Sequence, residues 1–332
     1  MKILLAPLNW GLGHATRCIP IVHHYLSQGD EVVLAGDGDS ISLLRQRFPE
    51  LRVIDLPSLE LRYSADPQQK GFYLRAVWAL VRFTIADHYY LRKALAVEHF
   101  DLIISDNRFG FYARDVRSIY ITHQLYPILP SRLSMLQPLA RALHARIYKR
   151  YDEVWVPDYA NSVANLSGRL SHGGSCDQQV RYIGPISRFM NVSTDALPKT
   201  NRAVEGYSAV AVLSGLEPQR SMFEEEVLKR FANTEQTLLL VQGKVGVPRT
   251  KICRGNITIV PNIGDDELVE VFRHVDTIIA RSGYSTIMDL DALGVLHKAE
   301  LYPTPGQSEQ EYLAKIYKLL HMSKKNSTFA TY

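Results

Sequence analysis

Short runs of aliphatic and β-branched residues alternate along the chain with longer segments whose apolar positions recur at helical spacing. In the first part the strand-like runs fall at 2–7, 31–35, 52–56, 101–105, 118–122 and 153–157. Strands separated by helical patterns predict βαβ units and a parallel sheet. A second series, at 208–213, 237–242, 256–261, 276–280 and 299–303, restarts the rhythm, with helices such as 218–231 between its strands. The intervening 188–205 holds Asn191, Ser193, Thr194, Pro198, Thr200 and Asn201 without apolar periodicity, as a linker would. The expected fold class is α/β, with two Rossmann-like domains, 1–200 and 206–332, whose parallel sheets face a cleft.

Helix ends sharpen the second half. Asp265 is expected to cap a helix with Asp266 and Glu267 in its first turn, where negative charge suits the helix dipole. Gly294 is placed to close the next helix. Ser308 with Glu311 has capping-box spacing for a last helix through Leu320, leaving 321–332 as a polar tail. These ends put polar loops at the C-terminal edges of the strands, where open α/β sheets bind ligands.

Composition restricts the setting. Lys and Arg number 38 against 34 Asp and Glu, and a net charge of +4 makes no case for a nucleic-acid partner. Cys18, Cys176 and Cys253 suit neither a disulfide framework nor a cysteine zinc site, so a reducing cytoplasm is expected. The N-terminal apolar run stops at Pro7 and Asn9 and reads as a first strand rather than a signal peptide. The most apolar long segment, 72–86, contains Arg75 and Arg82, which excludes a membrane-spanning helix and leaves only peripheral contact.

Four loops carry candidate chemistry. Residues 9–16, Asn-Trp-Gly-Leu-Gly-His-Ala-Thr, lead from the first strand into a helix. Gly11 and Gly13 permit close backbone approach, the helix start offers amides to an anion, and a neutral His14 can accept a proton. A dinucleotide fingerprint needs glycine where Thr16 stands, although Asp37 lies at a suitable distance for a ribose; a plain βα turn fits equally. In 281–289, Arg281, Ser282, Ser285, Thr286 and the helix start suit a phosphate and Asp289 suits sugar hydroxyls. Alternatively, Ser282 caps the helix and Asp289 serves its dipole. Glu309 and Gln310 open the last helix as sugar-reading groups or as caps. Ser214 and Gly215, ahead of Pro218 at a helix N1 position and near Arg220, leave amides for a diphosphate or form a simple turn.

Together these loops resemble those of the GT-B glycosyltransferases of the MurG-like group (family 28 type), which join two Rossmann-like domains across a cleft and transfer a sugar from a nucleotide diphosphate donor. The resemblance spans nearly the whole chain and is most specific in the second half. It implies that Arg281, Ser282, Gly283 and Asp289 form the nucleotide site, with Asp289 on the ribose. It implies further that Glu309 and Gln310 contact the donor sugar and that the Ser214–Gly215 loop holds the diphosphate. Gly11, Gly13 and His14 match the group's N-terminal glycine loop. Three features depart from the pattern: a single glycine in the 213–220 loop, Asp289 where Glu is usual, and a short polar tail. The implied reaction is inverting hexosyl transfer from a nucleotide sugar, a UDP-sugar foremost, with no metal and no further cofactor.

The acceptor is expected on the first domain. Asp106 and His123 each follow a strand and are alternatives to His14, the first choice of base; Asp106 equally fits a turn cap. Residues 107–150 carry eight Lys or Arg and one acid, Asp115, around the apolar 125–130 stretch. That suits a saccharide or lipid-linked acceptor, an anionic membrane surface, and a cytoplasmic protein peripheral to the inner face of the membrane. The rival is a solvated helix packing through Leu139, Leu143 and Ile147. Other readings are a nucleotide-sugar epimerase of the same fold and a non-catalytic nucleotide-sugar or glycolipid-binding protein. A dinucleotide oxidoreductase ranks last.

Overall fold

Most of the apolar runs become strands buried on both faces, the condition that parallel sheets impose. A computed structural model describes residues 1–58, 72–161, 163–174, 178–190 and 206–328. The chain divides into two units, Met1–Arg188 and Phe189–Tyr332. From residue 191 onward the expected linker lies outside the described residues, as does Cys176.

The first unit contains β1 (Lys2–Pro7), α1 (Gly13–Ser27), β2 (Glu31–Gly36), α2 (Gly38–Arg47), β3 (Val53–Asp55), α3 (Phe72–Val97), β4 (Leu102–Asp106), β5 (Arg117–Ile121), α4 (Gln137–Tyr148), β6 (Glu153–Val156) and β7 (Val180–Tyr182). Its seven strands run parallel in the order β3-β2-β1-β4-β5-β6-β7. Period-two alternation sends β1 side chains into two cores: Ile3 and Leu5 join Ile19 and Val22 of α1, whereas Leu4 and Ala6 join Leu91 of α3. Strand order reverses between β1 and β4, whose last residues, Pro7 and Asp106, are register partners. This switch point is where a doubly wound sheet leaves a crevice for ligand.

The second unit repeats the plan with β8 (Ala209–Val212), α5 (Gln219–Phe231), β9 (Leu238–Val241), β10 (Ile252–Arg254), β11 (Ile257–Val260), α6 (Asp265–His274), β12 (Thr277–Arg281), α7 (Tyr284–Ala292), β13 (Ala299–Tyr302) and α8 (Ser308–Thr328). The order is β10-β11-β9-β8-β12-β13, parallel except for the β10 edge. Phe223, Val227 and Phe231 of α5 cover one sheet face; Leu268, Val269 and Phe272 of α6 cover the other. Here the switch point lies between β8 and β12.

Several local expectations change. Strands β7 and β10 were not expected. Gly264, not Asp265, is the N-cap of α6, and Asp265 is its first helical residue. Pro218 occupies the N-cap of α5 rather than N1. Ser308 begins α8 instead of capping it, and the helix runs to Thr328, so 321–328 is helical rather than a polar tail. On α4, Leu139 and Leu143 are 56% and 53% exposed, and the helix packs instead through His144 and Tyr148. The 125–130 stretch is not an exposed apolar patch: Leu125 is buried and the rest is half-buried.

Candidate active site

The first-unit site begins with the turn that leaves β1. Gly11 has φ +83°, a conformation that disfavours a side chain, and its carbonyl accepts a hydrogen bond from the Ser40 hydroxyl at 3.3 Å. The chain then enters α1 at Gly13, so His14 lies in the first helical turn beside the switch point. Thr16 is buried, with its hydroxyl donating to the Gly13 carbonyl at 3.1 Å, inside the turn where a dinucleotide fingerprint requires glycine.

The three candidate bases meet around Arg17. Asp106, at the end of β4, is fully buried, and its Oδ2 accepts from Arg17 Nε at 2.6 Å. Arg17 Nη2 pairs with Asp106 Oδ1, completing a bidentate ion pair. His14 Nδ1 lies 3.0 Å from Asp106 Oδ1 and 2.8 Å from Arg17 Nη2. His123, buried beyond the end of β5, has its Nδ1 3.2 Å from Arg17 Nη1. The Cys18 thiol completes the group 3.6 Å from Asp106 Oδ2.

Charge and burial distinguish these residues. Burial opposes ionisation of Asp106, but Arg17 and His14 outweigh it and hold the carboxyl well below the usual carboxylate range. His14 is lowered from its ordinary value chiefly by burial, with Arg17 and His123 acting in the same direction and Asp106 opposing. The imidazole is therefore neutral at pH 7. Burial pushes the Cys18 thiol well up, leaving it an inert packing group.

Asp37 does not await a ribose. It is buried, with Oδ1 accepting from Arg108 Nη1 at 2.8 Å and Oδ2 accepting from the Asn9 amide at 3.1 Å. Arg108 also donates from Nη2 to Asp87 Oδ1 at 2.7 Å, and its guanidinium lies 4.6 Å from the Phe83 ring centre. This network anchors the strand ends on α3. Burial raises Asp87 to about 6 against the opposing pull of Arg108.

In the second unit, the loop after β8 contains half-buried Ser214 and exposed Gly215 at φ +102°. Arg220 forms a two-pronged pair with Glu217 Oε1, at 3.0 Å from Nε and 2.6 Å from Nη2. The expected phosphate ligand Arg281 is buried and donates to two carbonyls, Pro303 at 2.7 Å and Gln219 at 3.0 Å. Its guanidinium also stacks 4.0 Å from the Phe223 ring centre. Arg281, the last residue of β12, thus ties that strand's end to the start of α5 and to the loop after β13.

Ser282 is fully buried and donates to the Gln310 carbonyl at 2.8 Å; it is not a cap, because Gly283 is the α7 N-cap. Gln310 accepts the Thr304 amide at 2.9 Å through Oε1. Ser285 and Thr286 are half-buried in the first turn of α7, Asp289 is buried one turn further on, and Glu309 is half-buried at the start of α8.

Comparison with known proteins gives these two sheet edges a context. No protein-family model matches the chain. Over 95% of its length it is 22% identical to an uncharacterized glycosyltransferase of Methanosarcina acetivorans, 83% of which is covered. CalG4, the calicheamicin glycosyltransferase, matches 97% of the chain over 89% of its own, with a TM-score of 0.58 and 12% identity. The fold is that of the GT-B glycosyltransferases. Phytolacca americana UGT2, solved with UDP-2fluoro-glucose and pterostilbene, matches this GT-B chain with a TM-score of 0.55 and 13% identity, over 95% of this chain and 82% of that one. A Listeria monocytogenes protein described as a UDP-N-acetylglucosamine 2-epimerase reaches 0.54 at 12% identity, over 98% and 89%. Relatives and fold together make the protein glycosyltransferase-like, and its own residues must supply anything finer.

Arg17 escaped the sequence reading, yet the chain carried a signal. It stands three residues after His14 on α1 and so shares a helix face with that candidate base, where Asp106 meets its charge.

Proposed function

We propose that the chain is a glycosyltransferase that moves a hexose from a nucleoside diphosphate donor, a UDP-sugar foremost, to an acceptor hydroxyl, inverting the anomeric centre without a metal. The observation that carries this reading is the His14–Asp106 contact of 3.0 Å at the first-unit switch point. His14 Nε2 takes the acceptor proton while Nδ1–H bonds Asp106. The acceptor oxygen attacks the anomeric carbon, and the bond from that carbon to the diphosphate oxygen breaks. Amides of the Ser214–Gly215 loop and of the α7 start, with Ser285 and Thr286, meet the charge left on the diphosphate. Asp289 takes ribose hydroxyls and Glu309 a hydroxyl of the sugar. Arg281, Ser282 and Gln310 hold the loops in place, and Arg220 acts through its pair with Glu217. The relative named as a glycosyltransferase, the neighbour solved with a UDP-sugar and the MurG-like loops support this reading.

We assign the acceptor to a lipid-linked saccharide or alcohol met at an anionic membrane surface. Among the described residues no helix is long and apolar enough to cross a membrane. The outer face of α3, however, is apolar where a surface helix should be polar: Trp78 and Ile85 are 64% and 65% exposed, with Val81 and Tyr89 beside them. At 1.5 Å per residue this stripe runs about 17 Å from Trp78 to Tyr89. Exposed Arg75, Arg82, Arg92 and Lys93 flank it, and the helix's one acid, Asp87, is buried against Arg108. A second copy docked face to face would bring these cations together, whereas anionic headgroups match them.

The test of the chemistry is His14→Ala, assayed by nucleoside diphosphate release from UDP- and TDP-hexoses with alcohol and prenyl-phosphate acceptors. The expected outcome is a loss of roughly 10²–10⁴-fold in transfer with unchanged nucleotide affinity. Retained activity removes His14 as the base.

A further inference from the structure

Arginine carries hydrogens on every nitrogen and accepts none, so a ring nitrogen that receives its N–H must itself lack a proton. Arg17 presents one such contact to each histidine: Nη1 to His123 Nδ1 at 3.2 Å and Nη2 to His14 Nδ1 at 2.8 Å. Its Nε and Nη2 are also bound to the two oxygens of Asp106, which pins the guanidinium plane and hence the direction of the remaining hydrogens. All of these groups are buried or nearly so, and there is little freedom to trade partners.

We propose that Arg17 is a positioning residue that sets the tautomers of both histidines, holding His123 in the Nε2–H form and competing with Asp106 for Nδ1 of His14. Two consequences follow, the second resting on the reading of His14 as base. His123, with its proton on Nε2 and its Nδ1 occupied by Arg17, is a hydrogen-bond donor and is removed from the candidate bases. His14 accepts a proton at Nε2 only in the tautomer whose Nδ1–H bonds Asp106, so Arg17 governs the fraction of enzyme ready to react. The groups facing His14 are Arg17 on its own helix, Asp106 at the end of β4 and His123 beyond β5. They sum to no net charge while both imidazoles are neutral.

Nitrogen-15 spectra of the histidine-labelled full chain test this without any substrate, so the result is independent of whether the protein transfers sugars. In the wild type, His123, assigned by its loss in His123→Gln, is expected to show an unprotonated Nδ1 and a protonated Nε2 across pH 7–8. In Arg17→Lys, which keeps a cation opposite Asp106 but cannot reach both rings and the carboxylate together, His123 is expected to gain Nδ1–H form and His14 to move toward Nδ1–H. A protonated Nδ1 on His123 in the wild type overturns the proposal, as does an unchanged tautomer pattern in folded Arg17→Lys. Should that variant fail to fold, the wild-type spectrum decides alone.

Discussion

Replacing Arg281 with methionine separates a phosphate ligand from a loop fastener. The side chain is buried and donates to the carbonyls of Pro303 and Gln219, so its removal strands two acceptors and ends the stacking on Phe223. Hydrogen bonds from a charged group contribute about 1.5–3 kcal/mol each, and a desolvated cation–π contact about 2 kcal/mol. Methionine returns part of this by filling apolar space, leaving an expected loss of about 3–5 kcal/mol. For a unit of this size that lowers the unfolding midpoint by roughly 10 °C. Thermal and urea unfolding of the full chain, followed with titration of nucleoside diphosphate below the new midpoint, measures both quantities. The end of β12, the start of α5 and the loop after β13 should loosen together, with affinity falling as a consequence of lost stability. A variant with wild-type unfolding but abolished nucleotide binding would refute the reasoning and restore Arg281 as a direct ligand.

Two other perturbations probe the first unit. Asp106→Asn leaves the buried Arg17 without its counter-charge and should destabilise the protein by about 3–5 kcal/mol at pH 7. Because the native carboxyl is held below its unfolded value, near 3.9, its contribution is fully present above that value and is lost as pH falls through the native one. The variant should lose this acid dependence, and an unaltered acid unfolding curve would contradict the assignment. Trp78→Glu with Ile85→Glu should abolish co-sedimentation with anionic vesicles while leaving unfolding within about 0.5 kcal/mol of wild type, since both side chains are exposed. Undiminished binding by the double variant, or binding equal on neutral vesicles, would remove α3 as the membrane surface.

Periodicity exposed most of the architecture because most of the strands are buried on both faces and read as unbroken apolar runs. It failed at β7 and β10, edge strands of three residues each with no fully buried position. It also misjudged α4, where the buried side is built from His144 and Tyr148 rather than the leucines. Strand ends placed the candidate bases at one sheet edge, but apart from His14 with Arg17 they meet through pairings 89 to 106 positions apart, as in Arg17 with Asp106 and Arg17 with His123. Spacing cannot report such pairs. Arg281 shows the same limit, since spacing does not report that its Nη1 and Nη2 donate to the carbonyls of Pro303 and Gln219.

Binding of a nucleoside diphosphate sugar by the second unit is tested most directly by thermal unfolding in the presence of UDP- and TDP-sugars, free nucleoside diphosphates and dinucleotides. Ligand at 100 times its dissociation constant adds about 2.7 kcal/mol to the folded state, a readily measured rise. Stabilisation is expected from one class of nucleotide sugar and its diphosphate, and not from dinucleotides. Stabilisation by dinucleotides alone, or by none of these ligands, would contradict this binding.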